Sequence, residues 1–359
     1  MSTGSLPMPW VGALKAVGSQ LIVAHHLSAY GPLSDAMHGA VPHLAGFFYD
    51  YARMAVQVFL VAGGFLAARA LSRDGGPLRE SPWPLLARRY LRLAIPYLAA
   101  IGLAVACAAI AGRFLDDSSI PEDATFPQLL AHVLLLQDLL DFPSLSAGLW
   151  YVAIDFQLFA LLLLLLRLAR SPAAAWSLVL AMTAASLFFF NRDDRWDEWA
   201  PYFFGSYGLG AAAWWISGTR HRAALLAILA ASVAIAMTLD FRWRIVVALA
   251  VALVLGGAGR DGTVARRLGA RPVAFLGRVS FSVFLVHFPI CLLANALYVG
   301  ARLEHPAAAL SIVAAAWLAS IGVGAGFHHL FESPDAIRRF TDAAGFLYRR
   351  LVGARLLRL

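Results

Sequence analysis

The chain has 359 residues, 60% of them hydrophobic and only 14% charged, with a mean hydropathy of +0.71. That is more apolar surface than one soluble core of this length can hide, which excludes an ordinary soluble globular protein. The net charge of +8 rests on arginines placed between apolar segments, a pattern that membrane orientation explains without a nucleic-acid partner.

The opening residues lack the basic start and small-residue cleavage site of a signal peptide, so the first apolar segment is expected to stay as a transmembrane helix. Apolar runs of about 20 residues, enough to cross the hydrocarbon core, recur along the whole chain. In order they predict spans at 11–29, 50–70, 91–112, 149–169, 173–190, 200–217, 222–239, 242–257, 274–299 and 307–330. The run FPQLLAHVLLLQDLL at 126–140 is too short and polar-edged for a span and reads as interfacial or re-entrant. Cys107 and Cys291 fall inside predicted spans, where neither a disulfide framework nor a metal cluster is expected. The fold class is thus all-α, a polytopic membrane helix bundle of about ten transmembrane helices.

Orientation follows from the basic residues, because cytoplasmic loops accumulate Lys and Arg. With the N-terminus inside, Arg69, Arg73, Arg79, Arg88 and Arg89, then Arg167, Arg170, Arg220 and Arg222, then Arg260, Arg266, Arg267 and Arg271 all fall on the cytoplasmic side. So do the arginines from Arg338 to Arg358. The opposite loops, LDDSSIPEDATF and NRDDRWDEW, are acidic. An even number of spans brings both termini inside, giving one domain over 1–359 with a basic cytoplasmic tail at 334–359. Trp83, Trp150, Trp196 and Trp199 sit near predicted span ends, as an aromatic belt requires.

Polar residues inside the spans are costly and mark bundle interiors or wet cavities. The first span carries Lys15 near its cytoplasmic end and the adjacent His25 and His26 near the other. Arg53 and Gln57 open the second span, where Arg53 suits either an acceptor contact or a snorkelling anchor. In the third, Arg89 and Arg92 share one helical face at the cytoplasmic mouth, just before Pro96. Such a planar, permanently charged pair suits phosphate groups. The fourth span places Asp155 at about the depth of the two histidines, and a carboxylate that holds a histidine makes a general base. The same three residues would also serve as plain helix-to-helix hydrogen bonds. His287, before Pro289 in the ninth span, reads as a kink partner more than a catalyst, and Glu332 lies where it can pair with Arg278.

Taken together these segments resemble the acyltransferase-3 family of integral membrane acyltransferases. Lys15, ten intervening residues and His26 match its first-helix signature, which Lys15 with His25 does not. VQVFLVAGGFLAA at 56–68 resembles its second helix, with Gly63 in place of the usual serine; RRYLRLAIP at 88–96 matches its arginine pair and proline. LWYVAIDFQLF at 149–159 has Asp155 where the family has glutamate. LGRVSFSVFLVHFPI at 276–290 and HHLFESP at 328–334 are similar to its late helix and closing element. Gln57 stands where many relatives have an acid, and no fused extracytoplasmic hydrolase-like domain is expected.

The resemblance implies an O-acyltransferase of a bacterial inner membrane that moves an acyl group, acetyl first of all, from cytoplasmic acyl-CoA to a hydroxyl of an extracytoplasmic or membrane-associated acceptor such as a glycan or glycolipid. It implies His26 and Asp155 as catalytic residues and Lys15, Arg89 and Arg92 as the CoA site. His25, Arg53, Gln57 and His287 are expected near substrate, with membrane lipids around the bundle and no metal. Transfer runs either directly, with His26 as base, or through an acyl-histidine. A secondary transporter or flippase would also carry buried His, Asp and Arg, although the two halves of the chain show no corresponding motifs.

Overall fold

A computed structural model describes residues 8–258, 270–302 and 305–343. Arg260, Arg266, Arg267 and the tail beyond residue 343 lie outside the described residues. Within those residues the chain is helical and has no strand. Helix α1 spans Pro9–Leu27, followed by the short α2 (Pro32–Ala40) and α3 (Pro42–Tyr51). A 3-10 turn at Ala52–Ala55 joins α3 to α4 (Val56–Leu71), and α5 follows at Pro82–Ala111. Then come α6 (Phe126–Val133), α7 (Trp150–Leu168), α8 (Pro172–Phe188) and α9 (Ala200–Ser217). The series closes with α10 (Arg222–Leu239), α11 (Trp243–Gly257), α12 (Arg271–Gly300) and α13 (Pro306–Phe327), which ends in a π-turn at His328–Glu332.

All ten predicted spans are helical, yet among the described residues only seven helical segments are long and apolar enough to cross a membrane. The three that fall short are α1, α9 and α11, each for its own reason. Helix α11 has 15 residues. Helix α1 carries Lys15, Gln20, His25 and His26. Helix α9 is rich in glycine and aromatic residues because it is the hub of the bundle: every residue but Pro201 is buried, against α4, α8, α11, α7 and α10. A helix that meets other helices on all sides needs small residues for close approach more than it needs lipid-soluble ones. A Cβ on Gly64 would lie 1.8 Å from the Tyr207 carbonyl oxygen, and one on Gly210 would lie 2.0 Å from that of Val61, so α4 and α9 touch backbone to backbone. Helices α10 and α13, by contrast, leave leucine, isoleucine and valine side chains exposed on the rim, as lipid-facing helices do.

The segment 126–140 does not form a span. Helix α6 is eight residues long, started by a capping box between Thr125 and Gln128, and a 3-10 turn follows at Asp138–Leu140. The fully buried His132 ties this excursion down: its Nδ1 donates to the Gln128 carbonyl at 2.9 Å and its Nε2 accepts from the Leu145 amide at 3.3 Å.

Candidate functional site

Two cavities sit back to back along α4 and α7. The first, about 510 Å³, opens at the arginine-rich end of the bundle. Lys15 from α1, Arg69 from α4 and Arg89 and Arg92 from α5 supply its positive charge, and Asp155 and Glu332 its negative charge. Lys15, Arg89 and Arg92 are thus brought together as the sequence suggests, and Asp155, expected beside His26, joins them. Their pairing differs from expectation, however.

Asp155 does not hold His26: it accepts from Arg89, in a side-chain ion pair across α5 and α7. The physical reason is burial. Asp155 is 5% exposed, and an ionised carboxylate at that depth demands a cation with several donors, which Arg89 provides and an imidazole does not. The guanidinium also lies over the Phe159 ring, 5.2 Å from its centroid. Glu332 likewise takes partners other than Arg278. Its carboxylate accepts from Ser282 Oγ at 2.5 Å and from His328 Nδ1 at 2.9 Å, a reach within one π-turn. With both acids engaged, Lys15 and Arg92 make no hydrogen bond or ion pair among the described residues and remain available to a bound anion.

The histidine pair is assembled from α1 and α12, which approach so closely that a Cβ on Gly277 would lie 2.3 Å from the Gly12 carbonyl oxygen. His287 Nδ1 lies 2.7 Å from the Phe284 carbonyl, which can only accept, so this nitrogen carries the proton. Its Nε2 therefore accepts, and 2.7 Å away is His26 Nδ1, which must donate. While both rings are neutral, that chain leaves His26 Nε2 without a proton and able to accept. His287, and not Asp155, is thus the side chain that bonds the His26 ring and fixes its orientation. Tyr30 and Phe288 meet the His26 ring edge-on, at 5.3 and 5.8 Å between centroids. Asn295 fixes the turn above it, with its Oδ1 accepting from the Leu33 amide and its amide nitrogen donating to the Tyr30 carbonyl. The His25 ring lies 5.1 Å from that of His26 but bonds elsewhere, its Nδ1 3.3 Å from the Phe48 carbonyl, with Arg53 nearby.

A ring cluster separates the first cavity from the imidazoles. Phe59 and Tyr151 line the cavity, and both contact Phe284, at 6.1 and 5.3 Å between centroids. Phe284 in turn lies 5.9 Å from the His287 ring. The second cavity, about 720 Å³, lies on the other side of the same stretch of α4 and α7, lined there by Gln57, Trp150 and Ile154. It opens at the acidic end, among Arg53, Asp138, Asp197, Glu198, Trp243 and Arg244. Gln57 is buried, and its Oε1 accepts from Ser206 Oγ at 2.6 Å. Burial, followed by repulsion from Glu198 and Asp197, raises the Asp138 carboxyl to about 6.

The partnership of His26 with His287 and the acidic wall of the second cavity were missed by sequence reasoning. The His-x-Pro motif at a matching depth was a usable signal for the first. The acids of the second lie in loops without periodicity.

Residues 8–325 match the acyltransferase-3 family, described as an acyltransferase domain, and the chain belongs to that family. Among curated proteins it is similar to the Regulator of hypoxia-inducible factor 1 of Caenorhabditis elegans, with 28% identity over 162 residues, 44% of this chain and 32% of that protein. The chain thus matches about a third of the length of that relative. No solved structure matches it significantly.

Proposed function

We propose that this member of the acyltransferase-3 family is an O-acyltransferase of a bacterial inner membrane, taking an acetyl or other acyl group from cytoplasmic acyl-CoA to a hydroxyl of a glycan or glycolipid acceptor on the far side. In this reading all ten helices span, both termini are cytoplasmic, and the arginine-rich end faces the cytoplasm. What supports it is the pair of cavities along α4 and α7, one lined by Lys15, Arg89 and Arg92 and the other by acids, together with a buried histidine pair that lies behind the ring cluster of the first. A transfer between compartments needs two mouths that meet at one reacting centre.

Lys15 and Arg92, with Arg89 held in place by Asp155, grip the CoA phosphates. Lys15 and His26 are eleven residues apart, about 16 Å of helical rise, a span that the pantetheine arm bridges once the Phe284 ring swings aside. His26 Nε2 takes the proton of the acceptor hydroxyl, whose oxygen attacks the thioester carbonyl. The C–S bond breaks, and the departing thiolate receives the proton from His26. His287 keeps the His26 ring in the tautomer that can do this. His25, Arg53 and Gln57 face the acceptor.

The test is release of free CoA thiol from acetyl-CoA by the purified full-length protein, with and without polyol acceptors. Acceptor-dependent release, lost in His26→Ala with kcat lowered about 10²–10⁴-fold and acyl-CoA binding retained, supports the proposal. A protein that binds acetyl-CoA or polyols and liberates no thiol is a transporter and refutes it.

A further inference from the structure

The acidic cavity carries chemistry beyond holding a hydroxyl. Three carboxylates line it, Asp138, Asp197 and Glu198, and none has a cationic partner within salt-bridge distance among the described residues. They stand close enough for Asp197 and Glu198 to repel the Asp138 charge. Two of the arginines lining the same cavity are already committed. Arg242 donates to Asn191 and to the Leu187 carbonyl and pairs with Asp240 at 3.3 Å. Arg244 donates to the Asn191 carbonyl and lies over the Tyr202 ring. Arg53 lies near His25 and makes no ion pair among the described residues, while Arg244 is close enough to favour the Asp197 carboxylate without bonding to it.

An independent observation points to a ligand. Gln57 is 4% exposed and lines the cavity; Ser206 occupies its carbonyl oxygen, while its amide nitrogen has no partner. That nitrogen reaches the cavity and is a donor that a hydroxyl oxygen can match. Trp150, stacked on Phe203 at 5.4 Å, and Trp243, largely exposed, add aromatic rings of the kind on which sugar faces and ammonium groups pack. Among the described residues the carboxylates are not arranged to share a metal ion.

Building on the acyltransferase reading, we propose that this cavity selects an acceptor bearing a protonated amine beside its hydroxyls, an amino sugar or aminocyclitol, over neutral or anionic sugars. The ammonium group sits among Asp138, Asp197 and Glu198, a tryptophan ring takes the sugar face, and Gln57 donates to a hydroxyl oxygen. Cation and polyol are thus read by different walls of one cavity.

The matched probes are methyl 6-amino-6-deoxyglucoside, methyl glucoside and methyl glucuronoside, alike except for a positive, neutral or negative group at carbon 6. Their affinities for the full chain in detergent are read by saturation-transfer NMR at pH 7.5, in wild type, Glu198→Gln and Asp138→Asn. The expected order is amine, then neutral, then acid, with about tenfold between the first two for charge-assisted contacts and the gap narrowed in either variant. Glu198 is exposed, so Glu198→Gln keeps the test valid should Asp138→Asn fold poorly. Equal binding of the amine and neutral sugars by wild type, or a preference untouched by both substitutions, overturns the proposal. Thiol release with the same probes separates the two readings. Release with the neutral sugar and no amine preference sinks the amine alone, whereas amine-selective binding without any thiol release sinks the acyltransferase and leaves the cation site standing.

Discussion

Replacing Asp155 and Arg89 singly and together decides whether Asp155 serves the arginine, as the ion pair implies, or His26. Asp155→Asn leaves a guanidinium that is 23% exposed without its counter-charge, and Arg89→Gln leaves a carboxylate that is 5% exposed in the same position. Each single change is expected to cost about 3–5 kcal/mol, the usual penalty for orphaning one half of a buried pair. The double variant Asp155→Asn/Arg89→Gln removes both charges and is expected to recover about 1–3 kcal/mol relative to the sum of the singles. Unfolding of the detergent-solubilised protein with denaturant, followed by tryptophan fluorescence, measures all four corners of the cycle. Acyl-CoA titration and turnover on the same samples give the functional half, with KM for acyl-CoA rising more than kcat falls in each single variant. If Asp155→Asn lowers kcat as far as His26→Ala does, with stability and donor KM unchanged and no coupling to Arg89, Asp155 acts on the imidazole and the pairing described here is not the functional one.

His287→Ala deletes the acceptor for His26 Nδ1 and is expected to lower kcat while sparing donor KM; His287→Gln, which can still accept, restores part of it, and steady-state kinetics with acetyl-CoA checks both. Gly64→Ala forces a methyl group to within 1.8 Å of a backbone carbonyl of α9 and is expected to cost about 1–3 kcal/mol or more, read as loss of monodisperse protein on size-exclusion chromatography; full recovery of stable protein would refute the α4–α9 contact. The Asp138 carboxyl is raised from 3.8 to about 6 in the folded chain, so its ionisation opposes folding above pH 6 and has no effect below about pH 4. Asp138→Asn is therefore expected to raise the melting temperature at pH 8 but not at pH 4. The gain corresponds to roughly 1 kcal/mol after screening of a partly exposed group, and an equal gain at both pH values would exclude the ionisation as its cause.

Composition and the spacing of apolar runs determined that this chain is a helical membrane bundle, since lipid-exposed length and apolarity are properties of a segment by itself. The ordered motifs placed it in its family and singled out Lys15, His26, Arg89, Arg92 and Asp155. Periodicity states that a residue lies on a helix; it does not say which neighbour that helix turns toward. For that reason Asp155 at the right depth was matched to His26, whereas helix rotation and the cost of an uncompensated buried carboxylate gave it to Arg89. The same limit hid His287 as the partner of His26, because the two lie 261 residues apart and meet only where α1 and α12 pack. Hydropathy, a measure of contact with lipid, also undervalued α9, whose glycines and aromatic rings face other helices throughout. The acidic cavity drew its wall from loops near Asp138 and Glu198, and only the folded arrangement of α4, α7 and α9 brought those loops over Gln57. Segment identity is thus a local property that the sequence carries openly, whereas the pairing of buried charges is a property of the packed bundle.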